Sequence, residues 1–366
     1  MRTEPGRGHN SALSKQHNRG LVLQLIATGA CGSRVELARA TGLAKMTVTN
    51  IIADFMERGI VEECAQEQTR ICGRNPIRLQ LTDGAPRAAG LMICRDRVEA
   101  VLCTLTLKVI KREEVSFLSM EPDRLKVYAC EVLDRLLAGE GNLVGIGVAS
   151  SVPVDITAFL EERYRMPVAF GWDGASAALA EKLFGTGREV QDFVFLGISH
   201  QICAGIISGG KVYRSGRGRR SQLGHVSIDR EGPMCSCGGR GCLGLYASTP
   251  VVLDKLCRAA RRKLKFPQFC RLSGVAEVEQ IMAEMVDDVA VALTGAVSLL
   301  HPELIVLGGD CVDWSDRHVS MLEGTLNRTG GGETILVRRA HFGREAQQMG
   351  AAANIINQIF QGELVL

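Results

Sequence analysis

Three cysteines and one histidine are concentrated in one short segment of this 366-residue chain. The segment runs from Gly224 to Leu243 and reads GHVSIDREGPMCSCGGRGCL. The four candidate ligands in it are His225, Cys235, Cys237 and Cys242. Three thiolates and one neutral imidazole form a common closed tetrahedral set for zinc, and the glycines between them allow a tight loop. The segment therefore predicts one structural Zn²⁺ per chain, held at residues 225–242, with buried thiols as the alternative.

A second group of chemically useful residues lies near the start of a predicted helix from Lys45 to Arg58. Its apolar residues recur at the spacing of one buried face and are Val48, Ile51, Ile52, Phe55 and Met56. The polar residues off this face offer the donors, acceptors and methyl groups that read base edges in the DNA major groove. We predict DNA contacts for Lys45, Thr47, Thr49 and Asn50 of this helix, for Arg34 at a phosphate and for Arg74 in the minor groove.

The elements around these residues predict a winged helix-turn-helix. Residues 14–58 have the pattern of three helices, of which the second opens on a capping box formed by Ser33 and Glu36. Two short strands, ending at Leu81, follow on either side of a polar loop. We assign residues 1–84 to this DNA-binding domain. Strands then alternate with helices, which predicts an α/β domain of two lobes over residues 85–366.

Composition and charge agree with this division. The chain is 46% hydrophobic and 23% charged, as in a folded globular protein. No apolar run reaches the roughly 20 residues of a membrane span, and the first residues lack the apolar core of a signal peptide, so we expect a cytoplasmic protein without a membrane partner. The net charge is only +3, but residues 1–84 contain 11 basic and 8 acidic residues and so account for the whole excess.

The cysteine motif, G-H-x9-C-x-C-G-x2-G-C-L, resembles that of the ROK family of bacterial sugar kinases and sugar-responsive repressors. Residues 73–76 (GRNP) are similar to the wing tip of its repressor members, and residues 305–309 (IVLGG) to a late glycine loop. The resemblance spans nearly the whole chain. It implies a two-lobed actin-like (ribonuclease H-like) body behind the winged helix, and a homodimer or dimer of dimers. It also implies a repressor of carbohydrate-related genes that binds a pseudo-palindromic, double-stranded operator.

The same resemblance implies that kinase activity has been lost. Kinases of the family open with a D-x-G-x-T loop, and the aligned positions here are Met92, Cys94 and Asp96. Their second phosphate loop, GTGIGAG, aligns with residues 199–205 (SHQICAG), so three glycines are replaced. Because backbone can approach a phosphate closely only where side chains are absent, we predict no ATP-dependent enzyme activity. A ROK-type kinase that retains weak activity is the alternative.

The sugar-binding residues of the family are only partly retained. Its N-D motif aligns with Trp172-Asp173, and its G-E-x-G-H motif with residues 221–225 (SQLGH). Asp173, Gln222 and His225 are therefore the predicted effector contacts, with one carboxylate replaced by an amide. Either the pocket has decayed and leaves an effector-independent regulator, or it has switched to an anionic ligand such as a sugar phosphate. The second alternative rests on the neighbouring basic residues Lys211, Arg214, Arg217, Arg219 and Arg220.

Overall fold

The computed structural model contains both helices and mixed sheets, which confirms the predicted α/β class. It describes residues 11–64, 78–117, 121–216, 218–329 and 334–366. Across these ranges, no helix has both the length and the apolar character needed to cross a membrane.

Three helices and a two-stranded hairpin form the N-terminal part of the structure, here called the head. The helices are α1 (Ser11–Ala27), α2 (Arg34–Thr41) and α3 (Lys45–Glu57). The strands β1 (Val61–Cys64) and β2 (Arg78–Leu81) pair antiparallel. Residues 65–77, which include the predicted wing contact Arg74, lie outside the described residues. The element order is that of a winged helix-turn-helix; the boundary at residue 84 stays a prediction.

Local sequence explains the head's turn and most of its core. Ser33 caps α2 by accepting a hydrogen bond from the backbone of Glu36, whereas the Glu36 carboxylate accepts from Gly32 and not from Ser33. Gly42 ends α2 at φ 69°, a backbone region that favours glycine. The predicted apolar face of α3 is buried except for Met56, which is 37% exposed. The buried residues of α1 include Val22, Leu23 and Ile26.

Two five-stranded sheets follow the head, and each has the same strand arrangement. The first sheet contains β3 (Arg87–Ile93), β4 (Arg97–Thr104), β5 (Val109–Ser116), β6 (Leu143–Ser150) and β7 (Val168–Trp172), in the order β5-β4-β3-β6-β7. The second contains β8 (Phe193–Ile198), β9 (Ile202–Ser208), β10 (Lys211–Val212), β11 (Leu304–Gly309) and β12 (Leu336–Arg339), in the order β10-β9-β8-β11-β12. In both, three antiparallel strands are extended by two parallel ones. This duplication agrees with the predicted two-lobed body.

Helices cover the sheets and connect the lobes. The first sheet packs against α4 (Pro122–Leu137) and α5 (Thr157–Tyr164). Between the sheets lie α6 (Asp173–Phe184) and the last helix, α12 (Ala346–Phe360). They cross so closely that a Cβ atom at Gly350 would lie 2.3 Å from the backbone of Ser176, which requires glycine there. The remaining helices belong to the second lobe and are α7 (Gly244–Ala247), α8 (Thr249–Ala260), α9 (Phe266–Cys270), α10 (Ala276–Leu300) and α11 (Asp316–Thr329).

The head packs against the C-terminal helix of the body. A Cβ atom at Gly20 of α1 would lie 2.5 Å from the carbonyl oxygens of Ile359 and Phe360, so the backbones of α1 and α12 are in direct contact. Buried residues of the head, including Leu23 and Phe55, belong to one apolar cluster with Ile356 of α12. A shift of α12 would therefore be transmitted to the head.

Candidate functional site

The structure brings the four predicted metal ligands together. One ligand atom from each of His225, Cys235, Cys237 and Cys242 lies within 4.8 Å of the others. The Cys235 Sγ is 3.6 Å from the His225 Nδ1, and the Cys237 Sγ is 3.6 Å from the Cys242 Sγ. Zn–S bonds of about 2.3 Å and Zn–N bonds of about 2.0 Å at tetrahedral angles place neighbouring ligand atoms about 3.6–3.8 Å apart. The donor set and its spacing thus fit zinc.

Backbone contacts hold the loop in this shape. The Cys235 N–H donates to the Gly239 carbonyl, and the Gly238 N–H donates back to the Cys235 carbonyl. Gly241 has φ 58°, and a Cβ atom there would lie 1.8 Å from the Asp229 carbonyl oxygen, so only glycine fits. Hydrogen bonding from the Cys237 backbone lowers the pKa of the Cys235 thiol to about 6, which favours the thiolate that binds metal.

The N-terminal half of α3 presents a polar face to solvent. Lys45, Thr49 and Asn50 are exposed and Thr47 is half-buried. The Thr49 hydroxyl donates to the Lys45 carbonyl and keeps its lone pairs free to accept. None of these four predicted contacts lies on the buried apolar face: Thr47 and Asn50 line a groove beside α1, whereas Lys45 and Thr49 lie one turn apart and are hydrogen-bonded to each other.

The surroundings of α3 differ from the sequence prediction in two respects. The Arg34 guanidinium forms an ion pair with Glu63 of β1 and lies 3.7 Å from the Met56 sulfur, which the sequence did not predict; its contact with a phosphate stays a prediction. Lys15 and Asn18 of α1 lie beside Thr47 and Asn50, along one groove between the two helices. Neither Lys15 nor Asn18 was among the predicted contacts, although the basic excess of residues 1–84 was a signal for Lys15.

One of the three predicted effector residues, Asp173, has a deeply buried carboxylate. Asp173 begins α6 at the end of β7 and is 3% exposed. Burial raises its pKa to about 6, against the opposing effects of the Gly174 backbone N–H and the Arg220 charge. Gln222 is exposed, and His225 belongs to the candidate metal-binding cluster. Among the described residues no hydrogen bond joins Asp173 to Gln222 or His225, so the three do not form a connected set.

Two hydrogen bonds join the two lobes across the cleft between them, beside Asp173. The Trp172 indole N–H donates to the Gly218 carbonyl at 2.6 Å, and the Arg220 guanidinium donates to the carbonyl of Ser151 at the end of β6. Both bonds join the segment after β10, in the second lobe, to the edge of the first sheet. Arg220 and Trp172 therefore hold the two lobes together beside Asp173, a role that the sequence analysis did not assign to either.

The buried carboxylate predicts a specific pH dependence of stability. Because the folded pKa of Asp173 exceeds the unfolded value, its contribution is greatest below about pH 4 and is lost as pH rises through about 6. Asp173→Asn should therefore become more stable relative to the parent by about 1–2 kcal/mol between pH 5 and pH 8. Denaturant unfolding of both proteins at the two pH values measures this difference. If the free energy of unfolding changed equally with pH in the two proteins, a raised pKa of Asp173 would be contradicted.

Several residues at the positions aligned with the kinase phosphate loops line one acidic cavity. A cavity of about 530 Å³ lies between the β3–β4 turn, with Met92 and Cys94, and the loop after β11, with Gly309. Five carboxylates and three guanidinium groups line it, namely Glu99, Glu113, Glu114, Asp310 and Glu345, with Arg97, Arg112 and Arg344. All three guanidinium groups are already paired, Arg97 with Glu99, Arg112 with Glu345 and Arg344 with Asp310. The carboxylates of this cavity thus outnumber its guanidinium groups by two.

Comparison with known proteins relates the whole chain to bacterial regulators. Residues 145–358 match the family model described as ROK family. The xylose repressor of Bacillus spizizenii is 26% identical over 324 residues, covering 82% of this chain and 83% of its own length. The DNA-binding transcriptional repressor Mlc of Escherichia coli is 24% identical over 400 residues and is covered over 96% of both chains.

Solved structures show the same fold with and without the head. A ROK family transcriptional regulator described as a homologue of Escherichia coli Mlc superposes with a TM-score of 0.76 at 22% identity, covering 96% of this chain and 98% of its own. A ROK hexokinase from Thermus thermophilus superposes with a TM-score of 0.62 at 25% identity, covering 73% of this chain and 97% of its own. These matches confirm the predicted fold class.

Proposed function

The chain belongs to the ROK family, and we propose that it is a sequence-specific, DNA-binding transcriptional repressor of carbohydrate-related genes. The exposed polar face of α3, with Lys45, Thr49 and Asn50, carries this proposal. A helix held by its apolar face against α1 and α2, with its N-terminal residues free, is suited to enter a major groove. We assign Arg74, through the wing, to the minor groove.

Selection of DNA tests this function. The full-length chain, incubated with a pool of random duplexes, is expected to enrich one two-fold-symmetric motif whose half-sites lie about one or two helical turns apart. The symmetry follows from the proposed homodimer or dimer of dimers, in which each head contacts one half-site. Recovery of unrelated sequences with no common motif would contradict the proposal.

We propose that the metal centre holds one structural Zn²⁺ per chain. The ion would supply no chemistry beyond cross-linking, since four protein ligands close the tetrahedron. The predicted ligand His225 is three residues from Gln222, and the backbone N–H of His225 donates to the Gln222 carbonyl at 2.8 Å. The metal loop is thus connected by this hydrogen bond to the predicted effector contact Gln222.

A family kinase is the second candidate function, favoured only by the fold shared with the hexokinase. The acidic cleft and the residues at positions 92, 94 and 199–205 speak against it. We therefore expect the full-length chain to form no ADP from ATP above background with glucose, xylose or N-acetylglucosamine. A coupled assay, with a ROK hexokinase run in parallel as the positive control, measures this. Turnover that is lost in Asp173→Asn would contradict our assignment, because Asp173 aligns with the aspartate of the family's N-D motif, which by resemblance is the catalytic base of the kinases.

The effector proposal follows from the contacts of Asp173. A site with one buried carboxylate and an adjacent arginine, Arg220, suits a ligand that carries both hydroxyl groups and negative charge. We assign hydroxyl contacts to Asp173 and Gln222 and a supporting role to His225. The alternative is a regulator that responds to no effector, because Arg220 and Trp172 hold its two lobes together. We place the protein in the cytoplasm because its proposed operator is there.

A further inference from the structure

A groove at the junction of head and body is separate from all the sites above. It has a volume of about 800 Å³ and lies between the C-terminal end of α1 and a wall made by α6, β10 and α12. Neither Asp173, Gln222 nor any metal ligand lines it. A cavity of this volume is in the range of small-molecule sites.

The charged groups of the groove favour an anion. Lys182, Arg188, Lys211 and Arg214 line it, against the acidic residues Glu189 and Glu363. Lys211 and Arg214 are exposed, and neither has an ion-pair partner in the described part of the chain. The sequence groups these two residues with Arg220, but the structure turns them into the groove while Arg220 reaches Ser151 in the cleft. Lys211 and Arg214 therefore line the groove, whereas Arg220 lies in the cleft between the lobes.

The neutral groups of the groove favour a polyhydroxylated ligand. The side-chain amides of Gln24, Asn357 and Gln358 line the wall, and the described residues offer none of them a hydrogen-bond partner. Leu25 and Phe170 add a small apolar surface against which a sugar ring can lie. Unpaired amides beside unpaired cations match the hydroxyl and phosphate groups of one molecule. We propose that this groove binds a phosphorylated sugar.

The position of the groove connects its ligand to the head. The Arg188 guanidinium donates to the Thr28 carbonyl at 2.5 Å, just after the end of α1, and so ties head to body. A phosphate in the groove competes for Arg188, because a charge-assisted hydrogen bond is stronger than one to a neutral carbonyl. Binding then loosens the head and weakens operator binding. This coupling rests on the proposed DNA-binding function, whereas binding itself does not.

Calorimetric titration of the full-length chain tests the site without DNA. We expect heat of binding with glucose 6-phosphate or 6-phosphogluconate and none with glucose at the same concentrations. The double variant Lys211→Gln/Arg214→Gln should weaken binding by about 30-fold or more, since two charge-assisted contacts are lost. The matched control Arg262→Gln/Lys263→Gln removes two exposed charges outside the groove and should bind as the parent does.

Three results would overturn the proposal. They are no heat with either phosphorylated sugar, unchanged affinity in the Lys211→Gln/Arg214→Gln variant, and an equal loss of affinity in the Arg262→Gln/Lys263→Gln control. Fluorescence anisotropy of a selected duplex, titrated with the protein in the presence and absence of the phosphorylated sugar, then tests whether sugar binding weakens DNA binding. Failure of DNA binding in the absence of any sugar refutes the proposed function and leaves the calorimetric result standing.

Discussion

Cys237→Ser is expected to remove the zinc from the protein and to lower its melting temperature by about 10 °C. The Cys237 thiol is exposed and fills no part of the core, so the substitution leaves packing intact. A structural zinc site contributes on the order of 10 kcal/mol where folding depends on it. Losing even half of that lowers the melting temperature of a chain of this size by about 10 °C. Elemental analysis and thermal unfolding of the purified protein measure the two effects.

A matched cysteine substitution separates metal binding from the loss of a thiol. Cys257→Ser removes a half-buried thiol of α8, outside the metal loop, and should keep one zinc per chain and the parental melting temperature within about 2 °C. Equal melting temperatures for Cys237→Ser and the parent would contradict a structural metal at this loop.

Asn50→Ala is expected to weaken operator binding by about 10- to 100-fold and to relax sequence preference at one base pair of each half-site. A bidentate contact from an asparagine amide to adenine is worth about 1–3 kcal/mol of discrimination. Lys45→Ala should instead weaken binding to all sequences alike and reduce the salt dependence by about one counterion, as loss of a phosphate contact does. Arg74→Ala should weaken binding most to sites with A·T-rich flanks. Fluorescence anisotropy across a series of duplexes and salt concentrations distinguishes the three variants.

The control for these variants is a lysine far from the head. Lys263→Ala removes an exposed charge after α8 and should leave both affinity and salt dependence unchanged. If Asn50→Ala and Arg74→Ala both bind every duplex as the parent does, the DNA-reading surface assigned to α3 and the wing is wrong.

Sequence patterns predicted best where the interacting residues are close in the chain. The metal ligands span only 18 positions, so their convergence is a local property of one glycine-rich loop. The same holds for the Ser33 cap and for the buried face of α3, which depend on helical periodicity. The duplicated sheets follow the predicted alternation of strands and helices.

Contacts between distant segments could not be read from the sequence. The ion pair of Arg34 with Glu63, which lies on a strand 29 residues later, was not predicted. The basic residues after β9 form one cluster in sequence, yet Arg214 lines the head–body groove and Arg220 crosses the interlobe cleft. Local propensity carries no information on which lobe each side chain will reach.

The affinity ratio between a selected duplex and a scrambled duplex tests the central proposal most directly. Anisotropy titrations with the full-length, zinc-loaded chain at about 150 mM salt should show the selected site bound at least about 10³-fold more tightly. Comparable affinity for both duplexes would mean that the head binds DNA only through its charge, and would contradict a sequence-specific repressor.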